Sequence, residues 1–393
     1  MIALKRAASR VKRTAAPVKR PAGKGPAGAA GSKGLSVARR ERIVGLLRRA
    51  TEIAGLPGHE TDLTQWFEKE ARGLGAQVRH DRVGSCVALL PGQGKVRGAR
   101  RRLMLAAHAD AIGLVVTEVR KDGFLRVHPM GGVEPRLLPA QDVWVHGRER
   151  LPGVFGSVPP HLQAPNDAKK PYTFDELFVD TGQPAAAVRR AVRVGDLVSF
   201  RAPLVELLGG RVAGRAFDNR ACVVAMLLAL EELSRRPHAL DVFGVATVQE
   251  EVGRVCLGAM TSAYAVRPDV AVALDVTHGE GPGADDWRTF KLGGGPPIAL
   301  GPNVHPAVFR GLVEAAEAAK IPHQVEPAPR DTGTDARDIY TVGEGVPTGL
   351  VSVPLRYMHS AVETLDLVDL DRVARLLAIY AVRLEKGLPG RSD

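Results

Sequence analysis

Leu103-Met104-Leu105-Ala106-Ala107-His108-Ala109-Asp110 is the stretch on which the fold turns. Five apolar residues follow one another without a break and then give way to an imidazole and a carboxylate. A strand with one wet face alternates apolar and polar residues, so an unbroken run predicts a strand buried on both faces. Comparable runs recur at 241–248, 269–274 and 350–353. Helical spacing separates them, over 220–233, 306–320 and 370–386. Upstream, Ile43, Leu46, Leu47, Ala50 and Ile53 recur at the period of a helix, and a second helix is expected over 62–72 after the punctuation Gly55-Leu56-Pro57-Gly58. Buried strands alternating with amphipathic helices predict an α/β sandwich around a parallel or mixed sheet.

Residues 112–211 read differently. Short strands are expected at 112–119, 123–128, 143–146 and 154–158, punctuated by Asp122-Gly123, Gly131-Gly132 and Gly147, with one helix within 175–190. This is hairpin patterning, and it predicts a small β domain over 112–211 set into an α/β body made of 41–111 and 212–393. No internal repeat is visible.

The chain has 393 residues, 45% hydrophobic and 25% charged, which is the balance of a globular protein able to bury a full core. The apolar run 221–230 is the longest without a charge and is too short to span a bilayer, so no membrane association is expected. A formal charge of +11 would point to a nucleic-acid partner if it were spread over the body. It is not: residues 1–40 carry 11 Lys and Arg and no acid, leaving 43 basic against 43 acidic residues elsewhere. Rich in Ala, Gly and Pro and without an aromatic residue, 1–40 is expected to be a disordered basic tail. It reads either as a solvated extension or as a loose polyanion-binding arm. The basic start lacks the following apolar stretch of a signal peptide. Cys86, Cys222 and Cys256 are odd in number, far apart and in no metal-ligand spacing, as for reduced thiols in a cytoplasmic protein.

What ends each buried strand carries the chemistry. The first runs into His108-Ala109-Asp110. The next α/β segment opens with Ala216-Phe217-Asp218-Asn219-Arg220. The run at 245–248 leads into Gln249-Glu250-Glu251, that at 270–274 into Asp275, and the last strand reaches Met358-His359-Ser360. Open α/β sheets bind ligands at the carboxyl ends of their strands, so these groups are expected to share one cleft. Two imidazoles and at least three carboxylates suit a pair of divalent ions such as zinc, cobalt or manganese. Each group has a plainer explanation when taken singly: His108 as a hydrogen-bonded core histidine, Asp218 as a helix N-cap, Glu250-Glu251 as a solvated pair, Asp275 and His359 as loop residues. Five such groups at five strand ends favour the metal.

The stretches Ala107-His108-Ala109-Asp110-Ala111-Ile112-Gly113, Phe217-Asp218-Asn219-Arg220, Gln249-Glu250-Glu251-Val252-Gly253, Leu274-Asp275-Val276-Thr277, Asp331-Thr332-Gly333-Thr334-Asp335-Ala336 and Arg356-Tyr357-Met358-His359-Ser360 resemble, in order, the signature blocks of the dinuclear metallo-aminopeptidases of the glutamyl aminopeptidase and tetrahedral (TET) type, some of which carry endoglucanase labels. The resemblance runs from about residue 42 to 385. It implies a peptidase-type α/β/α sandwich with an inserted small PDZ-like β domain, two divalent metal ions per subunit with zinc or cobalt favoured, peptide substrates, and a homo-oligomer that is a dodecamer in some members. Carried over residue by residue, it implies that His108 and Asp275 bind one ion, Glu251 and His359 the other, that Asp218 bridges them, that Glu250 is the general base, and that Asp110 orients His108. The chain departs from the family in having Ala111 after the His-x-Asp triplet and a longer stretch at 254–257.

The function expected from this is removal of the N-terminal residue of peptides by metal-activated water, with Glu250 taking and returning the proton. The alternatives are a metal-dependent deacylase of N-acyl amino acids, or a glycosidase, which a chain with 5% aromatic residues is poorly equipped to be. A third is a non-catalytic scaffold whose basic tail is the working part.

Overall fold

In the computed structural model, residues 34–94, 98–162, 170–385 and 387 are described; most of the basic tail lies outside them. The chain opens with helices α1 (Val37–Glu52) and α2 (Thr61–Gly73) and strands β1 (Gln77–His80), β2 (Cys86–Leu90) and β3 (Arg102–His108). There follow β4 (Gly113–Val119), β5 (Leu125–Met130), β6 (Asp142–His146), β7 (Arg150–Gly156), β8 (Phe178–Asp180), helix α3 (Ala185–Ala191) and β9 (Leu197–Phe200). The chain continues through β10 (Val205–Glu206), β11 (Arg211–Gly214), α4 (Phe217–Ser234), β12 (Asp241–Thr247), α5 (Leu257–Val266), β13 (Val270–His278) and β14 (Pro297–Leu300). It closes with α6 (Pro306–Ala318), β15 (Gln324–Pro327), α7 (Asp335–Tyr340), β16 (Thr348–Leu355), β17 (Glu363–Asp366) and α8 (Leu367–Leu384).

The main sheet has eight strands in the order β1-β2-β12-β3-β13-β16-β14-β15. Its four central strands, β12, β3, β13 and β16, run parallel, while β2 and β14 join them antiparallel. The sheet is covered on both faces. Along β3, Leu103, Leu105 and Ala107 belong to one core with α1, α2, α4, α6 and α8, and Met104 and Ala106 to a second with α5 and α7. A run with no polar position is what two dry faces require. Helix α4 is buried almost all round, from Phe217 to Leu233, because it lies against the sheet with α1 and α8 outside it.

Strands β4 to β9 close into a separate six-stranded barrel, in the order β4-β5-β8-β7-β6-β9, with its own apolar core around Leu114, Val127, Val143, Val179 and Val198. The hairpin β10–β11 then leaves the barrel and pairs with β17. The helix expected near 175–190 is found at Ala185–Ala191. Ahead of it, a 3-10 turn (Phe174–Glu176) and β8 fill the space. Gly182 sits at φ 67, and Pro184 caps α3 from an extended conformation, so a helix cannot run through that point. Folded structure also begins before residue 41. Ser36 caps α1 by accepting from the Arg39 N–H. Arg39 pairs with Asp371 at 2.7 Å, and Arg40 pairs with Glu206 at 2.9 Å. Two basic residues assigned to the tail therefore belong to the fold. Among the described residues, no helix is long and apolar enough to cross a membrane.

Candidate metal centre

Because β12, β3 and β13 are parallel and in register, with Thr247 opposite His108 and Ala273 opposite Ala106, their carboxyl ends meet at one edge of the sheet. His108 ends β3, Glu250 and Glu251 follow β12, and Asp275 lies near the end of β13. Asp218 reaches the same place from the start of α4, where Ala216 adopts φ 58 and the chain turns sharply into the helix. Asn219 fixes that turn by donating from Nδ2 to the Leu274 carbonyl at 2.8 Å. His359 enters from the loop after β16 at φ 61.

All five groups expected as ligands converge. His108 Nε2 lies 3.3 Å from Asp218 Oδ1, 3.7 Å from Asp275 Oδ1 and 3.8 Å from Glu250 Oε2. His359 Nε2 lies 3.2 Å from Asp218 Oδ2 and 3.4 Å from Glu251 Oε2. The two oxygens of Asp218 thus face different imidazoles. Two triads have ligand atoms within 4.8 Å of one another: His108, Asp218 and Glu251, and His108, Glu250 and Asp275. The cluster lines a cleft of about 800 Å³ whose far wall includes Trp287 and the segment 327–334.

The electrostatics show what is missing from such a cluster. Burial pushes the carboxyl of Glu250 up to about 9, and burial is also the main cause of the rise at Glu251 and Asp275. Behind them Glu363 is raised by burial and then by Asp218, and burial lifts Asp335 to about 7. For Asp218 burial works against the charge, but the hydrogen bonds from His108 and His359 outweigh it and hold this carboxyl below the usual range. The carboxylates facing both imidazoles push their pKa values up despite burial. The Oε1 atom of Glu251 is buried without a hydrogen-bond partner. A site whose buried carboxyls are pushed up and which leaves a buried carboxylate oxygen unmatched is short of positive charge. Divalent cations fit it, since they take oxygen and imidazole ligands, favour the ionised form of the raised carboxyls and replace protons on the imidazoles.

Asp110 is fully buried, and its carboxylate does more than face His108. Its two oxygens accept from the Glu250 N–H at 3.1 Å and the Glu251 N–H at 2.9 Å. The His108 Nδ1 atom is instead 3.1 Å from the Asp110 carbonyl oxygen and 3.6 Å from its carboxylate. The backbone of Asp110 therefore leaves the His108 Nε2 atom aimed into the cluster, and its side chain shapes the turn that follows β12. Glu363 does similar work, accepting from the Asp218 N–H at 3.1 Å and the His359 N–H at 3.0 Å. Asp335 accepts from Thr247 Oγ1 at 2.6 Å, and the Cys256 thiol lies 3.8 Å from Glu250 Oε1. Gly132, just after β5, lies against the His359 ring, where a Cβ would lie 2.5 Å from Nδ1. On the sequence alone none of these has a role in the site: Gly132 reads there as turn punctuation, Cys256 as a reduced thiol and Asp335 as part of a signature block. Glu363 opens β17, a four-residue strand in which only Leu365 is apolar, so no local pattern marks it. His161, another histidine of the barrel region, is exposed in the 3-10 turn Pro160–Leu162 and does not line the cleft.

Residues 84–376 match the M42 glutamyl aminopeptidase family. The chain is 36% identical to a lysyl aminopeptidase of Pyrococcus furiosus over 84% of this chain and 94% of that protein. Among solved structures it resembles an aminopeptidase from the archaeon Desulfurococcus kamchatkensis, at 37% identity and TM-score 0.80 over 90% of this chain and 99% of that one. It also resembles the TET1 peptidase of Pyrococcus horikoshii, which assembles into a tetrahedron or a large octahedral shell, at 30% identity and TM-score 0.75 over 87% of this chain and all of that one.

Proposed function

The chain belongs to the M42 glutamyl aminopeptidase family, and on that footing we propose that it is a dinuclear metal-dependent aminopeptidase with Glu250 as general base. It is a hydrolase acting on peptide bonds, so the scaffold alternative falls. The observation that carries the finer reading is the placement of Asp218, whose two carboxylate oxygens face His108 and His359 separately. A residue so placed would bridge two ions, with His108 and Asp275 completing one ligand set and Glu251 and His359 the other. Zinc and cobalt both suit a set of two imidazoles and three carboxylates. When bound, the ions supply Lewis acidity, making water more acidic and a carbonyl oxygen more electrophilic.

The protein's own groups do the rest. Glu250 stands beside the cluster without being needed to close either ligand set, which leaves its carboxylate to accept the proton of the attacking water and return it to the leaving amine. Asp110 keeps Glu250 and Glu251 in register by holding both their amides. An acidic cleft also receives the free α-ammonium group of a peptide, which favours an exopeptidase. We assign the same kind of closed oligomer to this chain as to its TET-type relatives, and a cytoplasmic setting, where its three buried, unpaired thiols are stable.

The variant Glu250→Gln tests the assignment. It should retain both metals while turnover falls by about 10²–10⁴-fold, the usual share of a general base. Wild-type turnover in that variant would refute the role.

A further inference from the structure

We propose that Glu60 is a positioning residue of this centre, fixing by hydrogen bonds the turn that carries Glu250 and Glu251; the inference rests on the metallopeptidase reading and deepens it. Glu60 lies directly before α2, outside the segment 84–376 that matches the family, and is 4% exposed. Its Oε1 atom accepts from the Gly58 N–H at 2.8 Å and from the Gln249 N–H at 3.1 Å.

The second bond joins residues 189 apart in the sequence and meets a demanding stretch of backbone. Gln249 is in the left-handed region at φ 59, where a residue with a side chain stays only if its surroundings hold it. The next two amides, of Glu250 and Glu251, are taken by Asp110. Three consecutive N–H groups are thus held by carboxylates from two other segments, in a turn that neither a strand ladder nor a helix stabilises.

Glu60 is itself held. Its loop is tied down at the Gly55 carbonyl, which accepts from the Ala111 N–H at 3.1 Å and from Arg220 Nη2 at 3.0 Å. The Leu56 carbonyl accepts from the His59 N–H at 2.8 Å. Contact runs from the buried guanidinium of Arg220 through this loop to Glu60 and on to the turn beneath the ligands. One oxygen makes both bonds, so reach matters here rather than charge. Gln presents an oxygen in the same place, whereas Asp falls short by one methylene.

The test compares Glu60→Ala, Glu60→Asp and Glu60→Gln in the full chain, after melting curves show which variants fold. Amide exchange over 248–252 is measured without metal, zinc affinity by competition with a chelating dye, and kcat and KM separately. In the Ala and Asp variants exchange should quicken, and zinc affinity and kcat should each fall by about 10–100-fold, the usual effect of removing a group that orients metal ligands. KM should move by less than about threefold, because substrate contacts are untouched. The Gln variant should restore exchange, affinity and kcat to within about threefold of wild type. If Glu60→Ala does not fold, Glu60→Asp carries the same comparison. Unchanged exchange and zinc affinity in both would overturn the proposal, and so would a Gln variant as impaired as Ala. A wild-type protein that bound no zinc would instead refute the metallopeptidase reading, with amide exchange still testing the Glu60 contact.

Discussion

Replacing Gly132 by Ala should cripple the centre while leaving the fold intact. Gly132 follows β5 at the rim of the barrel, and its backbone is outside the left-handed region, so the substitution carries no conformational penalty of its own. A Cβ there would lie 2.5 Å from His359 Nδ1 and 2.8 Å from Cε1. Non-bonded carbon contacts settle at about 3.5–4.0 Å, so the ring must retreat by roughly 1 Å. The His359 backbone cannot follow, because its N–H is held by Glu363 at 3.0 Å and its φ is fixed at 61°. The side chain must therefore swing, and Nε2 leaves its places 3.2 Å from Asp218 and 3.4 Å from Glu251. A misplacement of about 1 Å at a catalytic centre is worth on the order of 10²-fold in turnover, and disturbing a metal ligand about 10–100-fold in metal affinity. The His359 side chain is 33% exposed, so the cost in global stability should stay within about 1 kcal/mol. Steady-state hydrolysis of an aminoacyl anilide, a zinc competition titration and a melting curve measure all three. If the variant keeps kcat and zinc affinity within about threefold of wild type, His359 is not held in the way its contacts indicate.

Two further substitutions test the scaffold. Arg220 is fully buried, has no ion pair among the described residues, and donates to the carbonyls of Ala50, Ile53, Ala54, Gly55 and Ala109. Some of these carbonyls have second partners, so Arg220→Leu should strand two or three and cost about 3–6 kcal/mol; an unchanged urea midpoint would contradict this. Gly45 lies inside α1, and a methyl group added there would meet nothing within 4 Å. Gly45→Ala should therefore stabilise by about 0.5–1 kcal/mol, read as a rise in that midpoint, and a fall would show that the helix needs the glycine.

The central strands were readable because burial on both faces forces an unbroken apolar run, as in Leu103–Ala107, and a polar group directly after such a run has only the sheet edge to occupy. His108, Glu250, Glu251 and Asp275 stand out in this way. Asp218 and His359 are less plain, since one comes from a helix start and the other from a left-handed loop residue. What was not legible is the support. Glu60 meets Gln249 across 189 residues, and Glu363 meets Asp218 across 145. In both cases the partner is a backbone amide, which every residue but proline carries, so no residue type marks the contact. The same applies to the Asp110 carboxylate, which binds amides 140 and 141 residues away besides facing the neighbouring imidazole. The helix expected near 175–190 is present but short. Alanines and arginines after Pro184 do form a helix, but Gly182 and Pro184 keep it from starting earlier.

The most direct test is turnover of a panel of aminoacyl anilides by the metal-loaded protein, run beside an N-acetylated copy of the best substrate and repeated after chelation. The account predicts cleavage of free-amine substrates only, lost with chelator and restored by zinc or cobalt. Cleavage of the acetylated copy, or turnover indifferent to chelator, would contradict it.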